Sequence, residues 1–288
     1  MSTVTPSTQQ PRNPQQHGGP RVRFSGVVRS EWIKTRSLRS TAWIFLLVLL
    51  LSVGIGVLLA SLANPDGVSI TGDAARNALV QMATSGTMVS ALIVAVLGAL
   101  VVTGEYGTGM IRSTFTAVPR RWEALAAKGF VLAVTVFVVT AVSTWATAFA
   151  VLPIADGRGV EASLDAGVAF PLLGTSVYLT LIALLAFGVG ILLRSTAGAI
   201  ATVLGVMLVA PVVVQLVQGF TDAAWLGTLN NLLPQNAGAP LMQFGTEDTS
   251  GWHDGVLALG GWSGFAVLTA WVVVTMAAAL VTVEKRDA

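Results

Sequence analysis

A short polar segment between two long apolar stretches holds the residues of this chain that could do chemistry. It runs from Gly104 to Arg112 and ends in Pro119-Arg120-Arg121-Trp122, so that one carboxylate, Glu105, stands among arginines and glycines. Carboxylates and guanidinium groups form charge-assisted hydrogen bonds. The segment is therefore either an ordinary connecting loop or the place where another molecule binds the protein.

Several kinds of catalysis are excluded by the residues that the sequence lacks. Hydrolysis of a nucleotide needs a glycine-rich loop that ends in Gly-Lys-Ser/Thr, and none of Lys34, Lys128 and Lys285 follows such a loop. The chain has no cysteine, which excludes thiolate chemistry and thiol-ligated metals. Its two histidines, His17 and His253, lie in separate polar segments. No catalytic, cofactor-binding or metal-binding residue is predicted, so the chain is not expected to be an enzyme.

The composition indicates which elements must position the polar segment. Hydrophobic residues make up 54% of the chain and charged residues 10%, whereas a soluble domain carries about 25% charged residues. A helix crosses a bilayer with about 20 apolar residues. Six stretches without Asp, Glu, Lys, Arg or His are long enough, and we predict spans near 42–62, 82–103, 130–152, 171–193, 197–218 and 256–281.

The distribution of positive charge predicts the orientation of these spans. All of the 16 lysines and arginines except Arg76 and Arg158 fall in the N-terminal segment, the second and fourth connections and the C-terminal tail. Positive residues mark cytoplasmic loops. Both termini are therefore expected in the cytoplasm, and so is the polar segment after the second span.

The basic residues lie beside the spans, where they meet anionic lipid headgroups. The bilayer is therefore the expected partner of these charges, and no nucleic-acid partner is predicted. Residues 1–24 are rich in Pro, Ser, Thr and Gln, a composition that cannot repay the entropy of ordering. We predict a disordered tail over 1–24 and a single membrane domain over 25–288.

Residues 25–40 have the pattern of a helix that lies on the inner membrane surface. Val28, Trp32 and Thr35 share one face at helical spacing, while Glu31 interrupts the apolar sector. A basic flank that only anchors the first span is the alternative interpretation, and the pattern does not separate the two.

The spans lack the groups that ion-coupled transport usually needs. Proton- or ion-coupled carriers keep an ionisable side chain within the membrane to bind the coupling ion, and none lies in the six predicted spans. In the fifth span, Pro211 is expected to kink the helix, with Gly205 adding to its weakness.

The polar segment itself is expected to fold into a short helix between two membrane helices. Its glycines permit tight turns where the second span ends. Residues 114–118 are predicted to form a helical turn that Pro119 ends, and a new helix then runs from Arg120 through Lys128 into the third span.

These residues resemble those of a known family. The chain is similar to the ABC-2-type exporter permeases, in particular the small six-span permeases of actinobacterial type. The resemblance covers residues 25–288 and is carried by three stretches: Ser30-Glu31-Trp32-Ile33-Lys34-Thr35-Arg36-Ser37, the segment from Thr103 through Lys128, and Leu232-Leu233-Pro234-Gln235-Asn236-Ala237.

The resemblance implies a fold and a mechanism. The fold class would be an all-α membrane protein of six transmembrane helices, N-in/C-in, with an N-terminal interface helix at 27–40, a cytoplasmic coupling helix within 105–121 and short outer helices at about 221–245. Two permease subunits, identical or related, would pair in a bacterial plasma membrane. Each would dock a separate ABC-type ATPase that binds Mg-ATP, while this chain binds no cofactor.

The resemblance also assigns roles to residues of this sequence. The coupling residues would be Glu105, Tyr106, Gly109, Arg112, Pro119, Arg120 and Arg121. The interface helix would act through Glu31, Trp32, Lys34 and Arg36.

Three functions are compatible with the sequence. The first is the permease subunit of an ATP-driven exporter, for which the six spans, the missing P-loop and the polar segment all speak. The second is an ion-coupled secondary carrier, and the third is a membrane sensor or immunity protein that uses the same scaffold without transport. For Glu105 the alternative role is a local ion pair, for example with Arg112, and for Arg120 and Arg121 it is anchoring of the topology.

Overall fold

The architecture is taken from a computed structural model of the full chain. It describes residues 24–37, 39–63, 68–117, 120–221, 223–246 and 250–285, and within 110–117 it describes the side chains of Met110, Ile111, Ser113 and Thr116. The predicted tail lies outside the described residues except for Phe24, and so does Pro119.

Among the described residues, six helices are long and apolar enough to cross a membrane, which confirms the prediction of an all-α membrane protein with six spans. The chain is therefore a multi-pass membrane protein. In chain order the spans are α2 (Arg39–Leu62), α3 with α4 (Gly72–Thr84 and Thr87–Thr108), α6 (Arg121–Asp156), α7 (Ala166–Leu193), α8 with α9 (Thr196–Leu204 and Ala210–Thr221) and α12 (Gly261–Lys285).

Shorter elements lie at the two ends of this bundle. They are α1 (Phe24–Ser37), α5 (Met110–Ala117), α10 (Ala224–Leu232), α11 (Pro234–Gly238), a 3₁₀ turn (Ala239–Met242) and the strands β1 (Gly251–His253) and β2 (Val256–Ala258). The short helices from Ala224 to Met242 occupy the region for which the resemblance implies them.

The sixth span begins later than the sequence pattern suggests, because residues 256–258 pair with 251–253 in an antiparallel hairpin. The hairpin turns through Asp254 and Gly255, which both have a positive φ, at 50° and 77°. An Asp-Gly pair between alternating residues is a strong signal for a two-residue hairpin turn. The prediction of a span from 256 is therefore wrong, and the helix starts at Gly261.

The fifth span is interrupted where the sequence predicted weakness. Residues Gly205–Val209 form a π-helical turn between α8 and α9, and Pro211 follows it. Proline has no N–H to donate to the carbonyl four residues earlier, and a π turn, which bonds five residues back, is one way to absorb that loss.

The tightest helix pair in the core is α4 against α7. Their buried side chains include Val94, Val102, Ile182 and Phe187. At the crossing, Gly98 lies directly against the backbone of Ala183, so that a Cβ at position 98 would overlap the carbonyl oxygen of Ala183. Small residues permit this close approach between membrane helices, and α4 carries Glu105 at its end.

Gly98→Ala is expected to destabilise the protein by about 1–3 kcal/mol, the usual cost of overpacking a core. Gly54→Ala is the matched control, because a Cβ at position 54 of α2 meets no atom within 4 Å. Alanine there should be neutral or stabilising by up to about 1 kcal/mol from helix propensity. Thermal unfolding in detergent micelles measures both variants, and equal midpoints would contradict the tight crossing.

The start of α6 and the ends of α4, α7 and α12 meet at the end of the bundle where α1 lies, which we call the α1 end. The Thr196 hydroxyl, at the start of α8, donates to that of Thr103 in α4 at 3.0 Å. At the other end, Arg76 in α3 forms an ion pair at 2.7 Å with Asp165, which caps α7.

Candidate functional site

The first helix docks on the start of the third span through one narrow face. Val27 and Glu31, one turn apart on α1, are its buried residues. Val27 packs against Ala124 and Ala127 of α6, and Lys128 follows one turn after Ala124. The small alanines let α1 approach closely, so that Glu31 comes within hydrogen-bonding distance of Lys128.

Four charged side chains from three helices meet at this contact, and we call them the charge cluster. They are Glu31 and Lys34 of α1, Glu105 of α4 and Lys128 of α6. The Lys128 ammonium donates to Glu31 at 2.6 Å and to Glu105 at 2.7 Å. The Lys34 ammonium donates to Glu31 at 2.8 Å and to Glu105 at 3.3 Å.

The burial of the cluster is uneven. The side chains of Lys128, Glu31 and Glu105 are 5%, 6% and 12% exposed, whereas that of Lys34 is 39% exposed. Burying a charge costs several kcal/mol unless it is paired and hydrogen-bonded. Two carboxylates and two ammonium groups neutralise each other here, with Lys128 at the centre. The second oxygen of Glu105 is buried and has no hydrogen-bond partner among the residues that the structure describes.

Neighbouring charges shift the pKa values of Glu31 and Lys34 on α1. Burial acts to raise the pKa of the Glu31 carboxyl, but the Lys128 and Lys34 ammonium groups outweigh it and lower that pKa below its ordinary 4.5. Burial acts to lower the pKa of Lys34, but Glu31 and Glu105 outweigh it and raise that pKa above 10.5. Both shifts favour the charged forms of Glu31 and Lys34 at neutral pH.

The attachment of α1 should be insensitive to pH from about 5 to about 10. A lowered carboxyl pKa contributes stability that is present above the unfolded pKa and is lost as the pH falls through the folded one. A raised lysine pKa contributes stability that is lost only as the pH rises above about 10.5. Limited proteolysis of α1 as a function of pH tests this. In Glu31→Gln the additional release of α1 below about pH 4.5 should disappear, and release between pH 6 and 8 would contradict the account.

Two of the predicted coupling residues organise the end of α4. Gly109 ends the helix in a left-handed conformation, with φ at 73°, and its N–H donates to the carbonyl of Tyr106. The next helix, α5, begins at Met110. The ring of Tyr106 lies under the guanidinium of Arg194, 5.4 Å from its centroid, an arrangement that a cation–π attraction stabilises.

The predicted basic coupling residues have different environments. The Arg120 side chain is 71% exposed and pairs with Glu123 at 3.2 Å. Arg121 is half-buried and donates to the carbonyl of Val283, near the end of α12, at 3.1 Å. At Arg112, in α5, the structure describes the helical backbone but not the side chain. Pro119 is outside the described residues.

Within the protein, α1 packs through Val27 and Glu31 rather than through the predicted apolar face, on which Trp32 is 45% exposed. Contact of Val28, Trp32 and Thr35 with the membrane surface stays a prediction. Glu31 is buried because two ammonium groups compensate its charge. Arg36 is exposed.

Sequence reasoning did not select Lys128 as a site residue, although it is the most buried member of the cluster. A usable signal was present: Ala124, Ala127 and Lys128 follow one another at helical spacing at the start of the third span, so Lys128 faces the same way as two small residues. Arg194, whose guanidinium lies over the ring of Tyr106, was also not predicted as a site residue.

A cavity of about 310 Å³ opens beside the cluster, between α1, α2, α4 and α6. The charge cluster lines one end, and Phe45, Leu97, Val101 and Leu132 line the apolar remainder. As a whole the site combines an amphipathic space with paired charges that connect three helices.

Comparison with known protein families gives a match over nearly the whole chain. The family whose members are described as ABC-2 family transporter proteins matches residues 26–288 of the chain. No curated protein matches it at a significant level. The matched range contains α1 from Gly26 onward, the six spans found among the described residues and the complete charge cluster.

Proposed function

Since the chain belongs to the ABC-2 family of transporter proteins, we propose that it is the permease subunit of an ATP-driven exporter, coupled to a separate ATPase. ABC-2 permeases are the membrane components of transporters rather than catalysts. Export, ATP coupling and a bacterial plasma membrane are parts of the proposal. A second permease subunit, identical or related, completes the proposed pore.

The distribution of charge supports a cytoplasmic α1 end. The described basic residues there include Arg29, Arg36, Arg120 and Lys285, whereas Arg76 and Arg158 are the basic residues described at the opposite end. An excess of lysine and arginine marks the cytoplasmic side. A cytoplasmic ATPase would then meet α1, α5 and the start of α6 first.

The observation that carries the proposal is the charge cluster. It joins α1, the end of α4 and the start of α6 through three ion pairs of 2.6–3.3 Å. A partner that pushes on α1 would therefore move the ends of the second and third spans together. Because Glu105 is buried against two lysines, we assign it the role of holding this link rather than touching the ATPase.

Energy would come from the partner. None of the chain's three lysines follows a phosphate-binding loop, so Mg-ATP would bind on the ATPase subunit. Coupling then requires a surface on this chain that the ATPase subunit can contact. The exposed Arg120 lies at the α1 end and supplies part of such a surface.

Reconstitution tests the function directly. An ABC-type ATPase should co-purify with the tagged chain, and the chain should stimulate its hydrolysis of Mg-ATP in liposomes above the rate of the ATPase alone. Transport that an ion gradient drives without ATP would instead identify a secondary carrier. Absence of both an ATPase partner and transport would identify the non-transporting sensor or immunity protein.

Arg120→Gln tests the grip on the ATPase. The Arg120 side chain is largely exposed and its ion pair with Glu123 lies at the surface, so stability should change by less than about 1 kcal/mol. Co-purification of the ATPase should fall several-fold if Arg120 contacts it. Arg121→Gln by itself would not isolate contact with the ATPase, because it also removes the hydrogen bond that Arg121 donates to the carbonyl of Val283. Inversion of the topology in the Arg120→Gln, Arg121→Gln double variant would identify these arginines as topology anchors.

A further inference from the structure

The cavity beside the charge cluster is larger and better lined than a packing defect. Its volume is about 310 Å³, about twice that of an engineered apolar cavity of roughly 150 Å³ that takes up benzene. Phe45, Leu97, Val101 and Leu132 supply apolar walls from three different helices. It can therefore hold an aliphatic segment of about ten carbons rather than a single small solute.

A second cavity of about 230 Å³ adjoins the first along the junction of α1 and α2. The two share Thr35, Thr41, Phe45 and Thr135, and the second adds Trp32 and Arg36. Together they form one groove, which we call the α1 groove.

The described charged residues that line the α1 groove sum to one positive charge. The two carboxylates and two ammonium groups of the charge cluster neutralise one another, and Arg36 adds a guanidinium group. The accessible charges are the Lys34 ammonium and the Arg36 guanidinium. An ammonium group has three N–H donors, and Lys34 directs two of them to Glu31 and Glu105. One donor therefore remains beyond its described ion pairs.

We propose that the α1 groove is a binding site for an anionic phospholipid of the adjacent leaflet. Its phosphate is held by Lys34 and Arg36, and one acyl chain enters the cavity past Phe45. An amphiphile with a negative head and an apolar tail matches both ends of the groove. Trp32 lies beside the headgroup, at the depth where amphipathic rings prefer to be.

The bound lipid has a structural consequence. It contacts α1 through Lys34 and Arg36, and it contacts α2, α4 and α6 through its acyl chain. It therefore fastens α1 to the spans in parallel with the charge cluster. Lipid binding in the α1 groove depends on the fold of this membrane protein, and it needs neither the ATPase nor a particular direction of transport.

Native mass spectrometry of the full chain, released from micelles that contain phosphatidylglycerol or phosphatidylcholine of the same acyl chains, tests the site. We expect retention of one phosphatidylglycerol with about fivefold preference over phosphatidylcholine, the contribution of one basic side chain near an anionic surface. Arg36→Gln should remove most of that preference. Arg29→Gln is the matched control, since Arg29 is also exposed on α1 but lines neither cavity.

A second variant tests the tail. Val101→Phe fills the cavity without changing a charge and should lower the amount of retained phosphatidylglycerol several-fold. Thermal unfolding checks that Arg36→Gln and Val101→Phe remain folded. If Val101→Phe does not fold, the lipid preference of Arg36→Gln, a substitution at the surface, tests the site by itself.

Three results would overturn the proposal: equal retention of the two lipids, equal losses in Arg29→Gln and Arg36→Gln, or unchanged retention in folded Val101→Phe. Displacement of the lipid by millimolar inorganic phosphate would show a site for the free anion instead, and would equally refute a lipid site.

Discussion

Lys128→Met is expected to destabilise the folded protein by about 3–5 kcal/mol, the cost of removing one partner from a buried ion pair. Lys128 is 5% exposed and donates to both carboxylates of the cluster. Methionine has a similar length and suits a helix, so the change acts mainly through charge. It leaves Glu31 and Glu105 buried beside each other with only Lys34 to neutralise them. Thermal or denaturant unfolding in detergent micelles measures the loss.

Lys34→Met is the matched control for this prediction. The substitution is chemically the same and touches the same two carboxylates, but Lys34 is 39% exposed. Its removal should therefore cost only about 1 kcal/mol, the value for a solvent-screened pair.

A rescue variant makes the test stricter. Adding Glu31→Gln to Lys128→Met removes the excess negative charge. The double variant should regain a large part of the lost stability, because replacing both members of a buried ion pair with uncharged residues costs far less than removing one of them. A double variant less stable than Lys128→Met would contradict the electrostatic account of the cluster.

Glu105→Gln is expected to leave the protein in the membrane but to reduce its stimulation of the ATPase about tenfold, within the usual 5–150-fold range of coupling between two sites. The amide keeps the size of the side chain while removing the charge that attracts Lys34 and Lys128 across from α1 and α6. The α1 helix stays attached through Glu31, but it no longer pulls on the end of α4. ATP hydrolysis by the reconstituted pair measures the change.

Glu123→Gln is the control for Glu105→Gln. Glu123 is also an acid at the α1 end, but its described ion pair is with the exposed Arg120. Its substitution should leave the link between α1 and α4 intact and ATPase stimulation nearly unchanged. Full stimulation by Glu105→Gln, or equal losses in both variants, would reject the role assigned to Glu105.

The spans were predictable from sequence because each depends on local composition. A run of about 20 apolar residues must cross the bilayer or be buried, and this condition requires no knowledge of neighbours. The hairpin at Asp254-Gly255 was also encoded locally, and it was missed because the apolar character of 256–260 was read as helix. Of the three glycines predicted to permit turns after the second span, Gly109 does so through its left-handed conformation. The prediction is wrong for Gly104 and Gly107, which lie within α4.

The charge cluster was not predictable in the same way. Lys128 lies 97 residues from Glu31 and 23 from Glu105, so no periodicity connects them. On α1, Glu31 looked like an interruption of an apolar face, since a lone buried carboxylate is costly. Its burial makes sense only when the two lysines are known to be adjacent. Pairing across helices is a tertiary property, and one sequence contains no direct record of it.

The equal numbers of positive and negative groups in the cluster have an electrical consequence. Moving one elementary charge through a membrane potential of 100 mV involves about 2.3 kcal/mol of work. The two carboxylates and two ammonium groups that join α1, α4 and α6 sum to zero. If they move as a unit they transfer no net charge, so the potential across the membrane does no work on that motion. The linkage is electrically silent, and a cell can polarise or depolarise without shifting it.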